Sequence, residues 1–143
     1  MLDITKDALN SMKDDAVHTY PDECCGFIFG NEGYDNRHIT SILVVNNSKD
    51  GDKRRRFEIA PRDYLNAELY AEQNEVVLLG VYHSHPESSA IPSETDRLSA
   101  QPFFSYIILS VLNRHIDDIR SWRLNDNFQF EEEIINNSFS PVN

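Results

Sequence analysis

The stretch VVLLGVY, residues 76–82, is apolar throughout and runs without a break into HSHP, residues 83–86. An apolar run with no polar alternation belongs to a strand covered on both faces. It therefore asks for further layers of structure on either side of a sheet. It also delivers two imidazoles to the strand's end. A strand sets residues i and i+2 on one side, about 6.5–7 Å apart, so His83 and His85 project together and Ser84 points away.

The remaining segments supply the layers. Residues 5–19 carry a helical pattern, with Thr5 as a cap and Ala8, Leu9, Met12 and Ala16 on one stripe. Tyr20-Pro21 ends it. CCGFIFG and RHITSILVV read as strands, NNSKDGDKRR as a polar loop, and RFEIA as a third strand. Pro61 opens a second helix over 61–74, with Tyr64, Ala67 and Ala71 along one face and Leu65 and Leu69 beside them. SETDRLSA reads as a short helix and FSYIILSVL as another buried strand. IRSWRL and NFQFEEEII follow, separated by a turn at Asn125-Asp126, with Trp122, Phe128 and Phe130 expected in the core. Strands interrupted by two main helices predict an α+β domain with a mixed sheet. One domain over 1–135 is expected, with a flexible tail at 136–143.

Charge narrows the partners. The chain of 143 residues has a formal net charge of −11, which a phosphate backbone repels, so no nucleic acid is expected. The basic run Lys53-Arg54-Arg55-Arg56 reads first as a solvated loop, and second as a docking patch for an acidic partner protein. The N-terminus shows no signal-peptide pattern, and no apolar stretch is long enough to span a bilayer, so no membrane association is expected. Cys24 and Cys25 are adjacent, which suits a disulfide poorly. They read as reduced thiols of a cytoplasmic protein, and Cys25 as a small buried core residue.

Ser93 and Asp96 complete the chemical pattern after the two histidines. If Ser93 starts a helix, Asp96 lies three residues on and shares its face. Two neutral imidazoles and one carboxylate suit zinc, and three protein ligands leave a tetrahedral position for water, as in catalytic sites. Cys24 or Cys25 would be the candidates to close such a site. His18, His38 and His115 have no partner at matching spacing. A cupin also uses His-x-His, but draws further ligands from later strands, and here the one later histidine near a strand is His115.

The segment HSHPESSAIPSETD resembles the signature of the JAMM (MPN-plus) metalloproteases: His-x-His, seven residues, Ser-x-x-Asp. YPDECCGFIFG is similar to the upstream segment in which that family carries a glutamate, here Glu23. RRFEIAPRDYLNAE, FSYIILSV and RSWRL extend the likeness to the small stand-alone bacterial members. The resemblance implies a sheet sandwiched by helices in a cytidine deaminase-like arrangement. It implies zinc (Zn2+) held by His83, His85 and Asp96, Glu23 as general base, and Ser93 as donor to the oxyanion. It implies a metallopeptidase or isopeptidase acting after the C-terminal Gly-Gly of a ubiquitin-like or sulfur-carrier protein. A homodimer is left open. The competing reading is a metal-binding scaffold domain without turnover.

Overall fold

The computed structural model of the chain describes residues 1–136; residues 137–143, which hold most of the expected flexible tail, lie outside the described residues. The order of elements is β1 (Leu2–Ile4), α1 (Lys6–Thr19), β2 (Cys25–Glu32), β3 (Arg37–Val45), α2 (Pro61–Gln73), β4 (Val77–Pro86), α3 (Glu94–Ser99), β5 (Ser105–Leu112), β6 (His115–Leu124) and β7 (Phe130–Glu133). The strands form one mixed sheet in the order β1-β3-β2-β4-β5-β6-β7. The β4–β5 and β1–β3 pairs are parallel and the others antiparallel. The apolar strand is thus the middle of seven.

Helices cover both faces, as the apolar run required. On one face Ala8, Met12 and Ala16 of α1 pack with Cys24, Ile28, Leu79, Tyr82, Ile107 and Leu109. On the other, Ala67 and Ala71 of α2 pack with Cys25, Phe27, Phe29, Val81 and Tyr106. The two cysteines fall in different cores and both are free and buried. Thr5 caps α1 by accepting the Ala8 N–H at 3.2 Å, and Pro61 takes the first turn of α2. In β4, Gly80 meets the start of β5 so closely that a Cβ there would lie 1.9 Å from the Ser105 carbonyl oxygen. Any side chain would force the central parallel pair apart.

Two expectations, for RFEIA and Phe128, are corrected, and two features are added. RFEIA is not a strand: residues 57–60 run as irregular chain into α2, because no neighbouring strand offers them a ladder. A short strand, β1, precedes α1 and pairs with β3. Leu65 and Leu69 are largely exposed beside the buried face of α2. Phe128 is not core: it sits exposed in the β6–β7 turn with φ of 60°, while Trp122 and Phe130 are half-buried. The sheet also closes on itself, since Leu2 accepts the Asn136 N–H at 2.8 Å and donates to Ile134 at 2.9 Å. That contact occupies the outer side of β1 and removes it as an edge for a further strand.

Candidate metal centre and active site

β4 continues two turns of the pleat beyond its apolar run, so His83 and His85 lie within the strand rather than after it. They share the parity of Val81 and hence the face covered by α2. Ser84 points into the opposite side, fully buried, and its Oγ accepts the Cys24 N–H at 2.8 Å. That bond fastens the segment carrying Glu23 against the strand carrying the histidines.

Asp96 arrives from α3 through a capping box. Ser93 Oγ accepts the Asp96 N–H at 3.0 Å, and Asp96 Oδ2 accepts the Ser93 N–H at 2.9 Å. The same Oδ2 lies 3.3 Å from His83 Nε2 and 3.1 Å from His85 Nε2, and the two Nε2 atoms are 3.1 Å apart. Zinc with nitrogen and oxygen ligands at about 2.0–2.1 Å spaces tetrahedral ligands about 3.3 Å from one another. The three donors therefore fit one face of such a tetrahedron. This is the one such convergence of His, Cys, Asp or Glu donors among the described residues. Cys24 and Cys25 are not part of it.

The surroundings fix the ring orientations. His85 Nδ1 faces the Ser89 carbonyl at 2.8 Å. A carbonyl only accepts, so Nδ1 carries a proton, which leaves Nε2 as the nitrogen whose lone pair could be offered to a metal. His83 is buried with its ring stacked on Phe57, centroids 4.4 Å apart, and its Nδ1 has no partner. Burial holds the His83 pKa below its ordinary value. Burial also depresses His85, but the bonds to Asp96 and Ser89 outweigh it and the net shift is upward. For Asp96 burial pushes up, yet the charge and hydrogen bonds of the two imidazoles outweigh it and hold the carboxyl far below the usual range. Asp96 is thus a committed anion aimed at two imidazoles.

Glu23 precedes β2 and is 4% exposed. Its backbone is fixed: the N–H donates to the Lys53 carbonyl at 2.7 Å and the carbonyl accepts from Asn47 Nδ2 at 3.1 Å. Its Oε1 is buried without a partner. Burial pushes its pKa up to about 8, with the charge of His85 acting in the opposite direction. Glu23, His85 and Ser93 line one cavity of about 620 Å³. The Ser93 hydroxyl oxygen is used as an acceptor in the cap, which leaves its proton to donate.

The profile of prokaryotic homologs of the JAB domain matches residues 5–125. The chain belongs to this family. JAB relatives include the CysO-cysteine peptidase of Mycobacterium tuberculosis, 31% identical over 137 residues that cover 94% of this chain and 90% of that protein. The desampylase of Haloferax volcanii is 33% identical over 103 residues, 71% of this chain and 72% of the relative. Among solved structures, a Desulfitobacterium hafniense protein superposes with a TM-score of 0.82 at 31% identity, covering 94% of this chain and 91% of that one. A JAB1/MPN domain protein of Archaeoglobus fulgidus shares the fold, with a TM-score of 0.57 at 18% identity over 94% of this chain and 98% of that one.

Around this JAB site the structure adds residues the sequence reading did not single out. Asn47 binds on four sides: Nδ2 donates to the carbonyls of Glu23 and Arg56, and Oδ1 accepts the N–H groups of Lys49 and Glu58. It thereby ties the loop over 49–58 to the backbone of Glu23. Its signal was the Asn46-Asn47 pair after an apolar strand, which marks a turn but names no distant partner. Phe57, expected in a strand, instead covers His83. Glu87 is held by the Tyr20 hydroxyl at 2.5 Å and the Asn113 N–H at 2.7 Å, which pins the loop after β4. No helix among the described residues is long and apolar enough to cross a membrane.

Proposed function

We propose that this chain is a zinc-dependent peptidase that hydrolyses the amide bond after the C-terminal glycine of a ubiquitin-like, sulfur-carrier-type protein. The observation that carries the reading is the pairing of three converging donors with a buried carboxylate, one oxygen of which has no partner, in the same site. A scaffold that only holds a metal has no use for a second buried carboxylate beside the ligand set, since leaving one unpaired costs stability. The names of the curated relatives, CysO-cysteine peptidase and desampylase, support conjugates of small carrier proteins as the substrate class.

His83, His85 and Asp96 would hold the zinc. When bound it supplies Lewis acidity and brings the pKa of a water at its open position to about 7. Glu23 would take a proton from water and pass it to the departing amine: burial raises its pKa, and the charge of a bound cation would act in the opposite direction and favour the base form. Ser93 presents its hydroxyl proton to the carbonyl oxygen as negative charge develops there. The Asn47 bond to its carbonyl fixes the Glu23 backbone beside the site. Glycine before the scissile bond gives the least obstruction to this approach.

The test offers the zinc-loaded protein a carrier–cysteine adduct, and the same adduct with the terminal glycine changed to valine, and follows products by mass spectrometry. Cleavage of the first with strong loss on the second is expected. Equal rates would remove the glycine requirement. No cleavage of any carrier adduct would favour the scaffold reading.

A further inference from the structure

A second cavity, of about 220 Å³, flanks the same centre on the side of His83 and Asp96. Phe57, Tyr64, Tyr106 and Phe130 give it apolar walls, and Lys49, Arg56 and Glu58 give it charge. Drug-sized ligands occupy roughly 300–1,000 Å³, so this space is on the scale of an amino acid.

The two cations are brought there by one side chain. Asn47 Oδ1 accepts the Lys49 N–H at 3.0 Å, and Asn47 Nδ2 donates to the Arg56 carbonyl at 3.0 Å. Arg56 spends one donor, Nη1, on the neighbouring Arg55 carbonyl at 3.0 Å. Neither Lys49 nor Arg56 forms an ion pair among the described residues, although the chain carries 24 acidic side chains against 13 basic ones. Arg56 also borders the larger cavity that holds Glu23. Lys49 and Arg56 balance Glu58 and Asp96 in formal charge, so a cation held by the imidazoles and Asp96 would leave the lining net positive.

In any hydrolysis here water adds across the C–N bond. The carrier leaves with a carboxylate and the other fragment with an amine that takes the transferred proton. When that fragment is an α-amino acid, its carboxylate lies one carbon from the amine, and so one carbon from the reacting centre. We propose that the smaller cavity receives this leaving residue and that Lys49 and Arg56 bind its free α-carboxylate. The preferred substrate is then a carrier extended at its C-terminus by one residue, rather than a carrier joined to a lysine side chain of another protein. This rests on the hydrolase reading above and names the substrate class of that site.

The test compares three conjugates of one Gly-Gly carrier: one extended by a residue with a free carboxylate, the same extension as a C-terminal amide, and the carrier linked to the ε-amine of a lysine peptide. Zinc-loaded wild type should favour the free acid over the amide by about 10- to 100-fold in kcat/KM, the range of a charge-assisted hydrogen bond, and over the lysine conjugate by at least as much. Arg56→Gln and Lys49→Gln should each narrow the acid-to-amide ratio, their combination should bring it near 1, and Arg56→Lys should restore part of it. Zinc content of each variant is measured alongside. Equal wild-type rates on acid and amide would overturn the proposal while leaving the hydrolase reading intact. So would a preference that survives the double variant. Failure to cleave any of the three would sink both.

Discussion

Asp96 and Glu23 are two carboxylates of one site with opposite electrostatic fates. Asp96 is surrounded by groups that want its charge: two imidazoles and the Ser93 N–H, all on Oδ2. Glu23 is about as buried, yet one of its oxygens has no partner at all. The first is held far below the ordinary carboxylate range and the second is pushed up to about 8. Burial raises both; the difference lies in what each finds once buried. A permanent anion suits a cation, and a carboxyl with a raised pKa suits a proton, which is the division that the proposed ligand and base roles require.

The sharpest way to break that division is to remove each partner in turn. We predict that His83→Ala, His85→Ala and Asp96→Ala each lose zinc and abolish turnover, because no spare donor is placed to replace one. Glu23→Gln should keep zinc and lose about 10²–10⁴ in kcat. Metal analysis beside kinetics decides it, and loss of zinc from Glu23→Gln as complete as from the histidine variants would make Glu23 a ligand. Ser93→Ala should follow with a fall of about 10²–10³ in kcat and little change in KM. A rise in KM at constant kcat would place the hydroxyl in substrate binding instead.

The smallest effect concerns stability and isolates Glu23 from catalysis. In chelator-treated protein its folded pKa of about 8 stands above the ordinary 4.5. A carboxyl raised on folding contributes fully below pH 4.5, and that contribution is lost as pH rises through about 8. Glu23→Gln removes the titration, so the variant should gain on wild type across this window, by a few kcal/mol at most, with one pKa unit worth ~1.4 kcal/mol. Denaturant midpoints at pH 5 and pH 8.5 measure it. A gain of equal size at both would show that the carboxyl is not buried as a free acid.

The family resemblance made more legible than spacing alone. The His83–His85 pair followed from strand geometry, and Asp96 from helical spacing behind Ser93, because both are local rules of period and reach. Glu23 did not: among 24 acidic side chains no local pattern separates it, and only the likeness of YPDECCGFIFG to a known motif singled it out. The failed expectations share that cause from the other side. RFEIA has strand-like composition, but a strand needs a neighbour, and the sheet spends its partners elsewhere. Phe128 continues an apolar alternation, but a turn takes it to the surface.

What the sequence by itself determined was therefore periodic and local: a buried central strand, helices with their caps, two imidazoles on one face of that strand, and Asp96 three residues behind Ser93. Only the tertiary structure decided which residues separated along the chain became neighbours. It set Asn47 between Glu23, Lys49 and Arg56, laid Phe57 on His83, and used Ser84 to hold Cys24 beside the site. Those contacts depend on loop paths and on side chains meeting across different elements. Loop conformation is set by the partners it finds, and no short-range periodicity in the chain encodes them.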